Sequence, residues 1–524
     1  MEFLAVAVAG LLGSFCSTLA PATGIGWLNS LCNRGNISAE LGPNLSSGAN
    51  IYLPGSEGFT QSTERWSSFE APNVTVVVEV ATENDVAETV KYANAHNLPF
   101  IAVNGGHGAI ASLGAVSNGI QIWLKQLNVV SVADDGKTAT FGGGIMSKQV
   151  IDALWEQGKQ TGWDKTCPYG NNASANYILV TGGCECISLL GPGLGGGHGF
   201  LQGRYGLIAD QFVSMNMVLA NGSLITVDQD SDLWWAVKGA GHNFGIVTSV
   251  TSKIYDIPQD GLWSYVNLFF THEKVEVLYE AINEHFLKDG VEQPEDVVHF
   301  SSWFNNPDVD PNHAAIGYFI MQQGVDAVEP QFTDPFTKLG PVMAVTGKGT
   351  YKDLPKWAWI DNDSLSCQKS GRGNIRFPLN IQEYNPVAQR TAFDYFTKTT
   401  QEIPALNNTM FLFEGYSTQG VKAVPSDSTA VPDRYADQLL CPVVMYETEA
   451  PQREGEAYEF GETLRQIIFQ ASGQEDLYCY VNYAIGDEDP RSWYGYEPWR
   501  LEKLRKLKAK YDPKHRFSFY APVD

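Results

Sequence analysis

The chain has 524 residues, 44% of them hydrophobic, enough to bury a sizeable core and too apolar for a disordered protein. Acids outnumber bases 59 to 35, a formal charge of −24, which repels phosphate backbones and argues against a general nucleic-acid binder. Thirteen Trp and 23 Tyr fit a large core as well as a cleft for aromatic or sugar-like ligands.

The apolar run Phe3–Leu12 is too short to cross a bilayer, and Ala20-Pro21-Ala22 offers a small-residue cleavage pattern. Residues 1–22 therefore read as a secretory signal, although Glu2 stands where a basic residue is usual. Sequons at Asn36, Asn44, Asn73, Asn172, Asn221, Asn362 and Asn407 fit a glycosylated, secreted protein with no membrane partner. Of the eight cysteines, cleavage removes Cys16 and leaves Cys32, Cys167, Cys184, Cys186, Cys367, Cys441 and Cys479. An odd count in an exported protein marks one thiol for another job.

Residues 23–60, rich in Gly, Ser, Asn and Pro, read as an irregular lead-in. Val74–Val80 predicts a strand, Thr82 and Asp85 a capped helix, and Phe100–Val103 a second strand. Ile120–Leu124 and Thr138–Phe141 predict further strands, and Val150, Ile151, Leu154 and Trp155 a helical stripe. Phe212–Leu219 and Leu224–Val227, joined by Asn221-Gly222, predict a hairpin with a type I′ turn. Ser231–Lys238 reads as a short helix and Ile246–Thr251 as a strand. Beyond about residue 258 glycine thins, and aromatic strands alternate with amphipathic helices to about residue 470, as in a second domain. Near the end, Leu501, Leu504 and Leu507 mark a helix whose Arg500, Lys503, Arg505, Lys506, Lys508 and Lys510 read as a solvated basic face.

Three glycine turns stand beside strands: 104–108, 191–199 and 239–245. Gly191, Gly193 and Gly196 satisfy G-x-G-x-x-G, but Gly197, Gly199 and Gly203 follow, so no helix is expected to begin there as a dinucleotide fold requires. Bare glycine backbone still cradles phosphates, and three such turns suggest a large phosphate-bearing cofactor rather than unrelated tight turns. His107, His198 and His242 with Cys184-x-Cys186 lack zinc-like spacing, so no metal is expected. An acidic, Trp-rich exported chain also fits a glycoside hydrolase, although no local pattern picks out its two acids.

Asn104-Gly105-Gly106-His107-Gly108, the stretch from Cys184 to Gly195-Gly196-Gly197, and Gly239-x-Gly241-x-Asn243-Phe-Gly245-Ile246-Val247 resemble berberine-bridge-type flavoenzymes of the vanillyl-alcohol-oxidase superfamily, closest to secreted fungal members. Tyr480-Val-Asn482-Tyr483, Trp493-Tyr-Gly495 and the run Leu507–Pro513 extend the resemblance to the C-terminus. It implies an α+β chain: a two-subdomain FAD-binding fold at 61–257, a substrate domain at 258–470 with an antiparallel sheet backed by helices, and a segment at 471–524 returning to the FAD domain. It implies FAD bonded to His107, with a second bond from Cys184 that would account for the odd thiol and leave six cysteines to pair; Cys186 is the rival for that bond, and a disulfide or free thiol at Cys184 the other reading. Gly105, Gly106, Gly108, Gly195, Gly196, Gly197, Gly241 and Gly245, with Asn104, Asn243, Ile246, Val247 and Asn482, are then cofactor contacts. Tyr483 is the catalytic base, its phenolate stabilised by a dipole or charge, while Tyr480 faces away on the same strand. Ile187 falls at a position linked to oxygen access and leans toward oxidase behaviour. The implied activity is hydride transfer from an alcohol or activated C–H of a sugar or secondary metabolite to flavin, then to O2, by a monomer. Residues 163–182 are extra to the family pattern, either a loop or translated intron, and a flavin-free relative spoiled by them is the remaining reading beside the hydrolase.

Overall fold

The computed structural model describes residues 37–157, 177–257, 261–288, 291–436, 438–448 and 452–524. The expected leader and most of the 163–182 insertion lie outside them.

The first unit holds β1 (Asn50–Tyr52), β2 (Asn73–Glu79), β3 (Phe100–Val103) and β4 (Ser117–Trp123) in the order β1-β2-β4-β3, with β2 and β3 parallel to β4. Between β2 and β3 runs the Glu83–Ala95 helix. Its start is a capping box: Thr82 accepts from the Asp85 amide, and the Asp85 carboxylate accepts from the Thr82 amide. Asp85 also takes both the amide and the hydroxyl of Ser46, which hold its carboxyl below the usual range despite burial.

The second unit adds β5 (Val130–Val132), β6 (Thr138–Gly142), β7 (Tyr177–Ile178), β8 (Phe212–Val218), β9 (Leu224–Asp228), β10 (Ile246–Lys253) and β11 (Tyr255–Asp256). Five form a sheet in the order β5-β6-β10-β8-β9, and β7 pairs with β11. The β8–β9 hairpin forms, but not through a type I′ turn. Gly222 N–H donates to Leu219 O and Leu219 N–H to Ser223 O, and of Asn221 and Gly222 only the glycine takes a positive φ, 82°. The turn is therefore one residue longer, with glycine in the left-handed position that a side chain resists.

The third unit contains β12 (Leu262–Phe270), β13 (Val297–Phe304), β14 (Ala315–Gln323), β15 (Met343–Thr350), β16 (Gly373–Arg376), β17 (Leu379–Ile381), β18 (Met410–Gly415) and β19 (Gln438–Tyr446). They form one antiparallel sheet, β15-β12-β14-β13-β18-β19-β16, with β17 also on β19. Helices Val275–Ile282, Pro386–Glu402 and Arg453–Ala471 cover one face. Strands alternate between two cores. Phe411, Phe413, Leu440 and Val444 join Phe393, Phe396, Phe460 and Leu464 under the helices. Cys441, Val443 and Met445, with Met410 and Leu412, pack on the other face with Trp66 and Tyr483.

The C-terminal helix Pro498–Tyr511 returns to the core of the second unit: Leu501, Leu504 and Leu507 join a cluster with Trp235, Phe244 and Val250. Its basic residues do not all face water. Arg500 is buried and donates to Thr429 O and Ser426 O. Lys508 is 1% exposed and donates to Asp512 at 2.7 Å, Asn243 O at 2.9 Å and Phe517 O at 3.0 Å. A charge taken out of water has to find such partners.

Candidate functional site

A cavity of about 400 Å³ lies between the two glycine-rich units, the open face of the large sheet and the C-terminal segment. Its wall includes Asn104, Gly105, Gly106, His107, Gly108, Cys184, Gly245, Ile246, Val247, Asn482 and Tyr483 from the expected set, and also Ile187. The turn at 104–108 works because of its glycines. Gly106 has φ +73°, and a Cβ on Gly105 would meet Cys186 O at 3.0 Å, so the bare backbone lets the His107 and Cys184 turns close on each other.

Five expected cofactor contacts do not line this cavity: Gly195, Gly196, Gly197, Gly241 and Asn243. They support residues that do, or brace the fold. A Cβ on Gly195 would fall 2.3 Å from Asn482 Oδ1, and Asn482 Nδ2 donates to Pro192 O and the Tyr480 hydroxyl. Asn243 is fully buried, with Nδ2 donating to Tyr494 Oη and Ala521 O, and its carbonyl holds Lys508. The 191–199 segment also opens with one helical turn, Leu190–Gly193, which the run of glycines had argued against. Its four residues end before the Gly195–Gly197 stretch.

The imidazole of His107 stacks on Trp66, ring centroids 5.7 Å apart, and its buried Nε2 has no hydrogen-bond partner. Burial pushes its pKa down to about 3, aided by Arg376, Lys369 and Arg65, so the ring is neutral. Cys184 is a free thiol whose pKa burial pushes up to about 12, with Glu414 adding to the rise. Cys186 is bonded to Cys367, which removes it as a rival for the cofactor. Cys441 and Cys479 are buried free thiols, so the six-cysteine pairing expected around Cys184 does not form.

Tyr480-Val-Asn482-Tyr483 is a turn, not a strand: Tyr483 N–H donates to Tyr480 O at 2.8 Å, and both phenols reach the same cavity. The alternation that sends residues to opposite faces applies only to extended chain. The Tyr483 hydroxyl donates to Glu414 Oε1 at 3.0 Å, and the Tyr416 hydroxyl to Glu414 Oε2 at 2.7 Å. Glu414 is the one carboxylate lining the cavity among the described residues. Burial raises its pKa, and the two phenol donors offset that only in part. Tyr483 lies well above the usual phenol value, through burial first and then the neighbouring Glu414 and Cys184. The expected stabilisation of a Tyr483 phenolate is therefore reversed: its partner is an acceptor of its proton. Arg376, on β16, stands over the rings of Trp66 and Tyr483 and donates to His107 O at 2.9 Å. Sequence reasoning missed Glu414, Tyr416 and Arg376. The lone acid in the apolar run Met410–Gly415 was the available signal.

The pattern of the FAD binding domain family matches residues 74–171, and that of the berberine and berberine-like family residues 479–524. The FAD-linked oxidoreductase chry5 of Gibberella zeae is 48% identical over 92% of this chain and 94% of its own. The FAD-linked oxidoreductase chyH of Penicillium rubens is 46% identical over 100% of this chain and 99% of its own. The chain is a berberine-like FAD-linked oxidoreductase. The glucooligosaccharide oxidase of Acremonium strictum, whose FAD is described as 6-S-cysteinyl, 8α-N1-histidyl, shares the fold of this oxidoreductase with a TM-score of 0.75 at 18% identity, over 93% of this chain and 99% of that one.

The cavity fits an FAD. A neutral, buried imidazole with an unpartnered nitrogen and a free thiol face one space, beside glycine turns that leave backbone bare. Among the described residues no helix is long and apolar enough to cross a membrane.

Proposed function

We propose that this oxidoreductase is a secreted oxidase that takes two electrons and two protons from an alcohol, or from an activated C–H, of a small metabolite. The observation that carries the reading is the Glu414–Tyr483 pair, a raised-pKa carboxylate accepting from a phenol in the cavity that also holds His107 and Cys184. FAD, when bound, supplies the two-electron acceptor and the route to O2, giving H2O2. His107 and Cys184 are the residues to which it attaches, the first offering a neutral imidazole and the second a thiol two residues from a disulfide that fixes its turn.

The proton chemistry follows from the hydrogen bonds. A substrate hydroxyl placed against Tyr483 Oη passes its proton there as Tyr483 passes its own to Glu414 Oε1. Neither residue suffices alone. A phenol raised this far above its usual value stays protonated and cannot take a proton without giving up its own, and Glu414 is the group placed to receive that one. Tyr416 holds the other carboxylate oxygen, so Glu414 presents a fixed Oε1. Arg376 fixes the Tyr483 ring from its face and ties it to the His107 backbone. Ile187 lines the cavity at the position linked to oxygen access.

Protein expressed with its leader and purified from medium should be yellow, consume O2 and produce H2O2 in a screen of sugars, alcohols and aromatic metabolites. A flavin-loaded protein that passes electrons to a dye but not to O2 would make it a dehydrogenase.

A further inference from the structure

Trp359 is out of place for a tryptophan. It takes φ +59°, in the left-handed region that bulky side chains avoid, and remains 38% exposed while lining the cavity. Its segment is not a loose loop. The Ser366 hydroxyl donates to Trp359 O, Ile360 N–H to Pro355 O, and Glu185 N–H to Ile360 O. Asn362 N–H donates to Glu185 Oε2, and the Cys186–Cys367 disulfide closes the same join. Residues 358–367 are thus fastened to the turn that carries Cys184 and Ile187. An unfavourable backbone conformation held by so many ties points to a side chain that is wanted where it stands.

From Trp359 a row of rings runs inward. Trp359 meets Phe319 edge-on at 5.1 Å. Phe319 is the cross-strand neighbour of Phe300, which meets Tyr416 edge-on at 5.0 Å, and the Tyr416 hydroxyl ends the row on Glu414. Beside the row, Leu412 and Met410 continue an apolar floor. A sugar lying there would bring most of its hydroxyls against Phe300, Phe319, Leu412 and Met410, where they lose water, while the buried, unpartnered Ser302 Oγ beside Leu412 could take only one of them. A flat ring loses nothing and stacks.

We propose that Trp359 is a specificity-determining residue, the outer platform of an aromatic wall that selects a flat aromatic substrate carrying one hydroxyl and directs that hydroxyl to the Tyr483–Glu414 pair. The proposal rests on the oxidoreductase reading of the cavity and names its substrate class.

Calorimetric titration of the flavin-loaded enzyme with indole-3-methanol and with cellobiose tests it, alongside Trp359→Phe and Trp359→Leu. Leucine keeps apolar bulk and removes the ring face. Wild type should bind the indole and not the disaccharide, W359F should stay near wild type, and W359L should weaken the indole by about tenfold with flavin content unchanged. Equal affinity in W359L, binding of cellobiose in preference, or binding of neither probe overturns the proposal. A folded wild type that holds no flavin fails the oxidoreductase reading instead.

Discussion

Glu414→Gln isolates the proton acceptor from the rest of the cavity. Glutamine keeps the shape and one acceptor oxygen, so one of the two phenols at 2.7 and 3.0 Å retains its partner. What it removes is the group that takes the proton relayed by Tyr483. A positioned general base contributes about 10²–10⁴-fold, so the rate of substrate oxidation should fall by that factor, or roughly 2.7–5.5 kcal/mol in barrier. The pH profile gives a second reading. Burial raises the Glu414 pKa, so wild-type oxidation should climb as pH rises through a value above the ordinary 4.5, and E414Q should lose that acid limb. Stability should move the other way. A carboxyl with a raised folded pKa holds its proton more tightly folded than unfolded. Its contribution is best below the ordinary value of 4.5 and is lost as pH rises through the raised one. Above that raised value the ionised, buried Glu414 costs stability, so there E414Q should melt at or above the wild-type temperature while oxidising far more slowly. Anaerobic stopped-flow reduction and thermal melts across pH measure both. E414Q oxidation within about threefold of wild type, or an unchanged acid limb, would refute the reasoning.

Three other changes probe separate parts of the account. Gly195→Ala puts a Cβ 2.3 Å from Asn482 Oδ1 and should cut flavin loading, measured by the visible-to-ultraviolet absorbance ratio, with little change in melting temperature. Lys508→Met leaves Asp512 buried without its counter-charge, held only by the Arg516 and Phe517 amides, and should cost about 3 kcal/mol in denaturant unfolding, a loss that a surface lysine would not show. Cys184→Ser should leave flavin on His107 after acid precipitation but change its visible spectrum; an identical spectrum would mean that Cys184 makes no bond.

The sequence is most legible where chemistry is local. The 104–108 turn announces itself because glycines and a histidine sit beside a clean strand, and the Thr82–Asp85 box marks its helix start to the residue. The middle sheet is opaque for a physical reason. β18 and β19 are covered on both faces, so Met410 and Leu412 toward the cavity alternate with Phe411 and Phe413 toward the helices, and no polar period appears. Glu414 on β18 and Arg376 on β16 enter from strands on either side of β19, and only folding sets them beside Tyr483. The tail misled differently. Lys508 reads as solvated because its partners are mostly backbone carbonyls, and Tyr480-Val-Asn482-Tyr483 reads as a strand because aromatic residues favour strands while nothing nearby pairs with it.

The central claim is that His107 carries the cofactor in the cavity where Glu414 and Tyr483 move the proton. Mass spectrometry of the protease-digested, acid-precipitated protein tests it most directly. After reduction of disulfides the account predicts the His107 and Cys184 peptides joined through FAD, at the summed mass less the hydrogens lost on bonding, a species absent from His107→Ala. A folded, active wild type whose His107 peptide has its unmodified mass, with all flavin released into the acid supernatant, would contradict it.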